Sequence, residues 1–313
     1  METTLTQPVT TNRSLAEGLS ACVSPATIIR RAEPLAPHTT LRVGGPADVF
    51  VEPASVADLA AIVQFCAPRQ LPFFILGRGS NLLVRDGGVR GVVISLSAEV
   101  FSVITVAGEQ LQCGAGARLK HVAVTAKRQG LSGLEFLEGI PGSVGGALRM
   151  NAGAMGKWTF DAVVSVRYMD YLGEIHECAA REVLVEYRAC PLLRSNIALG
   201  AVFVGSPKPS AEIEQCMRSY SEKRWASQPA APSAGCIFKN PGTIPAGKLV
   251  DELGLKGTRV GGAVVSAEHG NFIINDGGAT ASDVLALIAL LQSRVQAARG
   301  IALQPEVEII GED

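Results

Sequence analysis

The chain has no excess of charge of either sign. Lys and Arg number 28 against 29 Asp and Glu, a formal net charge of −1, so bulk attraction to nucleic acid or an anionic membrane is not expected. It has no apolar run long enough to span a bilayer. The opening METTLTQPVTTNRSL lacks an apolar stretch behind a basic start, so it does not read as a secretory signal. Residues 1–24 are expected to form a loose, flexible tail. Paired cysteines are missing as well. Cys22, Cys66, Cys113, Cys178, Cys190, Cys216 and Cys236 are odd in number and never form C-x-x-C, which argues for reduced thiols in the cytoplasm and against disulfides or a zinc site. His38, His121, His176 and His269 are never at metal-ligand spacing, so no metal is expected. Neither an internal repeat nor a low-complexity segment is present.

What is present suits a large ordered core. Hydrophobic residues make up 47% of the 313 residues and charged ones 18%, which places the chain among globular proteins of two or three domains. Ser55, three residues before Asp58, marks a helix start with Leu59, Ile62, Val63 and Cys66 at helical spacing. Extended residues 47–51 precede it, and the buried-strand run FFIL (Phe73–Leu76) follows between Pro72 and Gly77. Residues 25–95 thus read as β–α–β. Strands are expected at 92–95, 101–106 and 110–113, then a helix carrying Leu119, Val122, Ala123 and Ala126 and ended by Gly130. A hairpin follows around Leu172-Gly173, then a strand at 201–205, completing a segment 96–206. Pro207-Lys208-Pro209 opens the last segment, 207–313. There Ser210 is expected to cap a helix with Ile213, Met217 and Tyr220. A short helix at 246–253 ends at Gly254, and a strand covers 272–274. Thr280 starts a helix with Val284, Leu287, Ile288, Leu291 and Val295 in one stripe up to Gly300, and PEVEIIGE is expected to be a closing strand. The class is α+β.

The chain is organised around GLEFLEGIPGSVGGALRMNAGAMG, residues 133–156, with seven glycines. Ordered glycine is entropically costly, so this density has a reason. A flexible linker would be polar and Ser-rich; here Leu134, Phe136, Leu137, Ile140, Val144, Leu148 and Met150 require a core. The stretch therefore reads as a backbone cradle that a ligand approaches closely. A second glycine loop, Gly77-Arg78-Gly79-Ser80-Asn81-Leu82, resembles G-x-G-x-x-G but has Leu82 in the third position and Asp86-Gly87-Gly88 where a helix should follow. The dinucleotide fingerprint fails on that context. Backbone N–H groups with Ser80 and Asn81 still suit an anion-binding nest. Two such loops fit a long diphosphate ligand better than a mononucleotide.

At this point a resemblance enters. LGRGSNLLV, the glycine stretch, AGCIFKNP, AGKLVDELGLKG and LQPEVEIIGE occur in this order in the UDP-N-acetylenolpyruvoylglucosamine reductase (MurB) family, and the chain resembles it from about His38 to Gly311. The resemblance implies a two-part FAD-binding domain of the vanillyl-alcohol-oxidase type (25–95 and 96–206) and a C-terminal substrate domain (207–313). It implies FAD contacts from Gly77, Gly79, Ser80, Asn81, Leu82, Gly139, Ile140, Gly142, Ser143, Gly145, Gly146, Asn151 and Gly153. No His lies in the 77–88 loop, so the FAD is expected to be non-covalent, with NADPH as co-substrate. The implied reaction reduces the enolpyruvyl ether of UDP-N-acetylglucosamine enolpyruvate to UDP-N-acetylmuramate, a peptidoglycan precursor.

Such a reaction needs fixed positive charge at the substrate carboxylate and a proton donor for the inner carbon. By resemblance these are Arg188, in EYRAC, and Cys236, in AGCIFKNP, where the family usually carries Ser. Glu306 matches the carboxylate that orients the proton-transfer centre, although Glu308 shares its strand face. A lone Cys is more often a small buried hydrophobe, and Arg188 taken alone reads first as a surface ion pair with Glu186 or a neighbour; the resemblance tips it to the site. A free thiol titrates near about 8.5, and lower beside a cation, so turnover is expected to fall at alkaline pH. Tyr187, Arg224, Lys239 and Asn240 are the expected substrate contacts, Arg224 for the UDP diphosphate. EYRAC departs from the family pattern at Cys190-Pro191-Leu192. The short 187–207 segment matches the branch without an inserted tyrosine loop. The alternatives are another FAD-dependent oxidase or dehydrogenase of the same fold, or a non-enzymatic flavin or nucleotide binder.

Overall fold

The computed structural model describes residues 12–242 and 244–313. Its first layer is a four-stranded sheet in the order β1-β2-β5-β3, built from β1 (Ile28–Pro34), β2 (Pro46–Glu52), β3 (Phe73–Leu76) and β5 (Val89–Ser95). The expected β–α–β is present as β2, α2 (Val56–Cys66) and β3, with β5 inserted between the two strands and parallel to both. Ser55 Oγ caps α2 by accepting the Asp58 N–H at 3.0 Å. The Asp58 carboxylate, though, turns to Ser24, accepting its N–H and its hydroxyl at 2.8 Å each. Those bonds anchor the chain just before β1.

The loose tail expected up to residue 24 is corrected over its second half. Residues 12–20 form helix α1 (Asn12–Ser20), and Leu15, Ala16 and Leu19 are buried in the main core. Leu15 and Leu19 are four residues apart and share one helix face. Residues 1–11 of that expectation lie outside the described residues.

The second layer is a five-stranded antiparallel sheet. It uses β6 (Ile104–Ala107), β7 (Gln110–Gly114), β11 (Val163–Met169), β12 (Ile175–Ala179) and β13 (Ile197–Val204) in the order β12-β11-β13-β7-β6. The strand expected from residue 101 begins only at Ile104, because Glu99–Phe101 forms a 3-10 turn that buries Phe101. Helix α3 (Leu119–Arg128) buries the expected Leu119, Val122, Ala123 and Ala126. The glycine stretch follows as a 3-10 turn over Glu135–Gly139 and a short helix α4 (Val144–Arg149). Leu134, Phe136, Leu137, Val144 and Leu148 are buried, so it is a packed element and not a linker. Two-residue ribbons pair β8 (Leu131–Ser132) with β14 (Ser206–Pro207) and β9 (Gly153–Ala154) with β10 (Lys157–Trp158).

Helix α5 (Ser210–Trp225) belongs by sequence to the third segment but buries Ile213 and Met217 in the main core with the first two. Ser210 is its first residue, not its cap, and its hydroxyl donates to Lys127 O at 3.0 Å. The remaining chain forms a second core. An antiparallel sheet, β15-β18-β17-β16, combines β15 (Ser233–Cys236), β16 (Arg259–Val260), β17 (Ala263–Val265) and β18 (Phe272–Asn275). It packs with α6 (Ala246–Glu252) and α7 (Ala281–Arg299). Thr280 and Asp283 make a reciprocal capping box on α7, and Gly300 ends it in the left-handed conformation.

The closing strand is shorter than expected: β19 covers only Glu308–Ile310. Its partner lies far away in sequence. β4 (Leu82–Val84), inside the stretch that reads as a loop, pairs with it in parallel. Leu41, Val43 and Leu83 join the second core, so the first glycine loop is clamped between the two cores.

Candidate active site

A cleft runs between these layers as two cavities that share Leu76, Gly77, Arg78 and Ser143. The first has a volume of about 640 Å³ and the second about 820 Å³. Both glycine loops form walls. Gly77, Gly79, Ser80, Asn81, Leu82, Gly139, Ile140, Gly142, Ser143, Gly146 and Gly153 line the second cavity, and Gly145 lines the first. Asn151 lines neither. It is buried, and its side chain spans Glu186 O (3.4 Å) and the Phe160 N–H (3.3 Å), a purely internal role.

The cleft fits an extended diphosphate cofactor such as FAD. At Gly79, with φ +58, a Cβ would lie 2.5 Å from His38 O; only glycine lets this loop turn so close to its neighbour. A Cβ on Gly77 would meet Ser143 Oγ at 3.1 Å, so the loops nearly touch where the cavities join. Arg78 and Arg118 line the first cavity with no carboxylate at ion-pair distance among the described residues. Burial, and then the charge of Arg118, lowers the Arg78 pKa. Two uncompensated cations beside a backbone nest suit a pyrophosphate. Sequence reasoning passed over both arginines, although Arg78 sits inside the first loop.

In the second cavity the structure brings Arg188, Cys236 and Glu306 to one wall. Arg188 Nε donates to Glu306 Oε1 at 2.6 Å, and Tyr187 donates its hydroxyl proton to Glu306 Oε2 at 3.1 Å. The side chains of Arg188 and Glu306 are only 21% and 9% exposed. Arg188 has φ +57, a conformation costly for a side-chain-bearing residue. Reciprocal backbone bonds between Glu186 and Ala189 hold it, and its guanidinium packs over the rings of Trp158 (5.5 Å) and Tyr187 (5.2 Å). The turn thus aims the guanidinium into the cleft.

Glu306 is pinned from two sides. Its N–H donates to Ile237 O at 2.7 Å, and its carbonyl accepts from Asn81 Nδ2 at 3.0 Å. Asn81, in turn, accepts the Glu308 N–H at 3.0 Å. The first glycine loop therefore fixes the Glu306 backbone, from which the carboxylate extends. Glu308 also faces the cavity but pairs with Arg149 at 2.8 Å. The two glutamates do share a face, and each is assigned by its own arginine.

Cys236 ends β15, where a register shift against β18 and Gly235 at φ +77 bulge the strand toward the cleft. Asn271, almost fully buried, clasps the next residues by accepting the Phe238 N–H (2.9 Å) and donating to Phe238 O (2.8 Å). Burial first, and then the Glu306 charge, push the Cys236 thiol up from 9.0 to about 11, against the lowering effect of Arg188 and a hydrogen bond from Asn271. An alkaline fall in turnover through this thiol is therefore expected at higher pH than for an ordinary one. Arg188 is nearby, but the Glu306 charge outweighs its pull.

Of the expected substrate contacts, Arg224 lines the cavity and Tyr187 reaches it through Glu306. Lys239 and Asn240 do not. Past the bulge the chain leaves the cleft: the Lys239 N–H bonds Gln304 O, and Asn240 Oδ1 accepts the Ala246 N–H at the start of α6 (3.0 Å). Elsewhere, Asp170, Glu174 and His176 bring ligand atoms within 4.8 Å at the β11–β12 turn, although His176 lacks metal-ligand spacing in sequence. His176 Nε2 lies 2.9 Å from Asp170, whose other oxygen accepts two turn N–H groups, so the group staples a hairpin.

Comparison with known proteins agrees with this architecture. The family model of an FAD binding domain matches residues 47–179. That of the UDP-N-acetylenolpyruvoylglucosamine reductase C-terminal domain matches residues 228–310. The UDP-N-acetylenolpyruvoylglucosamine reductase of Geobacter metallireducens is 46% identical over 91% of this chain and 95% of its own length. That of Syntrophus aciditrophicus is 41% identical over 98% and 99%. The crystal structure of UDP-N-acetylenolpyruvylglucosamine reductase (MurB) from Thermus caldophilus superposes with a TM-score of 0.77 at 39% identity, covering 90% of this chain and 98% of that one. The chain belongs to the UDP-N-acetylenolpyruvoylglucosamine reductase family.

Proposed function

We propose that this protein reduces the enolpyruvyl group of UDP-N-acetylglucosamine enolpyruvate to UDP-N-acetylmuramate, with non-covalent FAD and NADPH, in peptidoglycan precursor synthesis. The observation that carries this reading is the meeting of Arg188, Cys236 and Glu306 on one wall of a cleft whose other walls are the two glycine loops. Bound FAD, reduced by NADPH, supplies the hydride that reaches the outer carbon of the double bond. Negative charge then develops at the inner carbon and on the substrate carboxylate.

Arg188 binds that carboxylate. Its Nε is held by Glu306, which leaves the two terminal nitrogens for a forked contact. Cys236 holds the proton at Sγ and gives it to the inner carbon, leaving a thiolate beside the Arg188 charge. A thiol raised to about 11 is fully protonated at neutral pH, as a donor must be. Tyr187, whose pKa burial and the Glu306 charge both raise, stays protonated and fixes the second Glu306 oxygen. Among the described residues no helix is long and apolar enough to cross a membrane. All seven cysteines are free.

Anaerobic single turnover tests the proposal. NADPH is expected to bleach the flavin, and the enolpyruvyl substrate to restore its colour. Cys236→Ser should retain the second step, and Cys236→Ala should slow it by about 10²–10⁴, the usual worth of a positioned proton donor. Re-oxidation by an alcohol-derived carbonyl instead of the enolpyruvyl ether would favour the dehydrogenase reading. Equal rates for the Ser and Ala variants would remove Cys236 from the mechanism.

A further inference from the structure

At the mouth of the second cavity, α5 ends in Arg224 and Trp225, and the following loop adds Gln228, Pro229 and Pro232 to the same wall. Trp225 leaves 57% of its surface exposed there. An isolated exposed apolar side chain is ordinary, but three features set this one apart. It lies on a concave wall and not on a convex surface. The Arg224 guanidinium packs 5.2 Å from its ring centroid. The two prolines stiffen the chain just beyond it.

Arg224 is equally unusual. Burial lowers its pKa, opposed by the charge of Glu138, and Glu138 itself pairs with Lys120 at 3.7 Å. Among the described residues Arg224 has no carboxylate at ion-pair distance; its Nε donates to Gln228 Oε1 at 3.2 Å, and that is a neutral acceptor. A partly buried guanidinium without a counter-ion calls for an anion from outside. A planar aromatic face beside it calls for a planar partner, since base–aromatic stacking is driven by contact area and needs no hydrogen-bond pattern.

We propose that Trp225, beside the Arg224 already expected to meet the diphosphate, is the stacking platform for the nucleobase of the substrate's uridine diphosphate. Trp225 is then a specificity-determining residue. The proposal rests on the reductase reading, because it takes its nucleotide from that substrate. The apolar face selects for a base, the cation selects for phosphate, and their adjacency selects for both joined by a short sugar. The reactive group then points along the cavity toward Arg188 and Cys236, which line the same space.

The test is calorimetric titration of the FAD-loaded protein with uridine diphosphate and, separately, with inorganic pyrophosphate. Wild type should bind uridine diphosphate more tightly. Trp225→Ala should weaken uridine diphosphate by roughly 5- to 100-fold, the loss of one base–aromatic stack, while pyrophosphate binding stays put. Trp225→Phe should recover most of the loss. Arg224→Gln should weaken both ligands together. An unchanged flavin spectrum in each variant shows that the fold is intact. The proposal is overturned if Trp225→Ala leaves uridine diphosphate binding unchanged, if it weakens both ligands equally, or if wild type does not bind uridine diphosphate. Flavin re-oxidation by the enolpyruvyl substrate separates the two readings. If re-oxidation succeeds while the titration ignores Trp225, only the platform fails. If the titration behaves as expected and re-oxidation fails, the reductase reading falls instead.

Discussion

The acidity of Cys236 is the most exposed part of the mechanism, and it is measurable. An ordinary thiol with a pKa of 9.0 is about one-tenth thiolate at pH 8, whereas one at about 11 is about one-thousandth thiolate. The local environment therefore lowers the reactive fraction about 100-fold. The assay is alkylation of the FAD-loaded enzyme with iodoacetamide across alkaline pH, with the Cys236 adduct quantified by peptide mass spectrometry. Burial also slows access, so the midpoint of the pH profile carries the test and the absolute rate does not. The midpoint is expected near 11.

Glu306→Gln sharpens the test. Burial and the Glu306 charge raise the thiol, while Arg188 lowers it. Removing the carboxylate charge leaves Arg188 unopposed, so the thiol becomes more acidic. Alkylation at pH 8 should then speed up even as turnover falls. A wild-type midpoint near 9, or slower alkylation in Glu306→Gln, would refute the electrostatic argument. Turnover of the wild type should show no alkaline limb from Cys236 through about pH 9, since the donor remains protonated there.

Three further outcomes are expected. Asp86 accepts the Ala281 and Ser282 N–H groups (2.8 Å each) and the Ser282 hydroxyl (2.6 Å) at the start of α7. Asp86→Ala should therefore cost about 0.5–2 kcal/mol in denaturant unfolding, as loss of a helix cap does. Burial works to raise the Asp86 pKa, but these bonds outweigh it and the net effect is a lowered value. Its stabilisation is thus complete above the unfolded carboxyl pKa of about 3.9 and is lost as pH falls through the folded value, so the wild-type advantage should vanish in acid. Asn81→Ala removes the bond to the Glu306 carbonyl. One lost partly buried hydrogen bond, about 0.5–1.5 kcal/mol, should slow re-oxidation by the substrate about 2- to 13-fold in stopped-flow absorbance. Arg78→Gln and Arg118→Gln should each weaken FAD binding about 10-fold or more, with a shallower salt dependence, read from flavin fluorescence on dilution.

The elements that were legible in the sequence are those whose information is local. The α7 stripe, the Phe73–Leu76 run and the apolar body of the glycine stretch each carry a period or a composition that only one environment satisfies. Helix α1 was not legible, because two leucines in a polar stretch give a weak period, and its burial depends on a core assembled later in the chain. Asn271 and Asp86 were missed for the opposite reason. Each is an ordinary polar residue whose partner lies 33 or 195 residues away, and no local pattern encodes that distance. Lys239 and Asn240, expected from the resemblance as substrate contacts, do not line the cavity because the bulge at Gly235 and the turn toward α6 carry the chain away from it.

These long-range contacts explain why the site can be shared among separate segments without becoming loose. The first glycine loop faces the cofactor cleft on one side and, through β4, pairs with β19 on the other. Within the same few residues Asn81 fixes the Glu306 backbone and Asp86 fixes α7. Glu306 is also tied to Ile237, next to Cys236. The loop proposed to hold the flavin is thus bonded to the Glu306 backbone, and Glu306 in turn reaches Arg188 through its carboxylate and Ile237, next to Cys236, through its N–H. Hydride and proton must reach adjacent carbons of one double bond, and a misplacement of about 1 Å is costly for such a reaction. A domain hinge between cofactor and donor would introduce that error. The parallel pairing of β4 with β19 ties that loop to the strand just beyond Glu306 and so works against such an error.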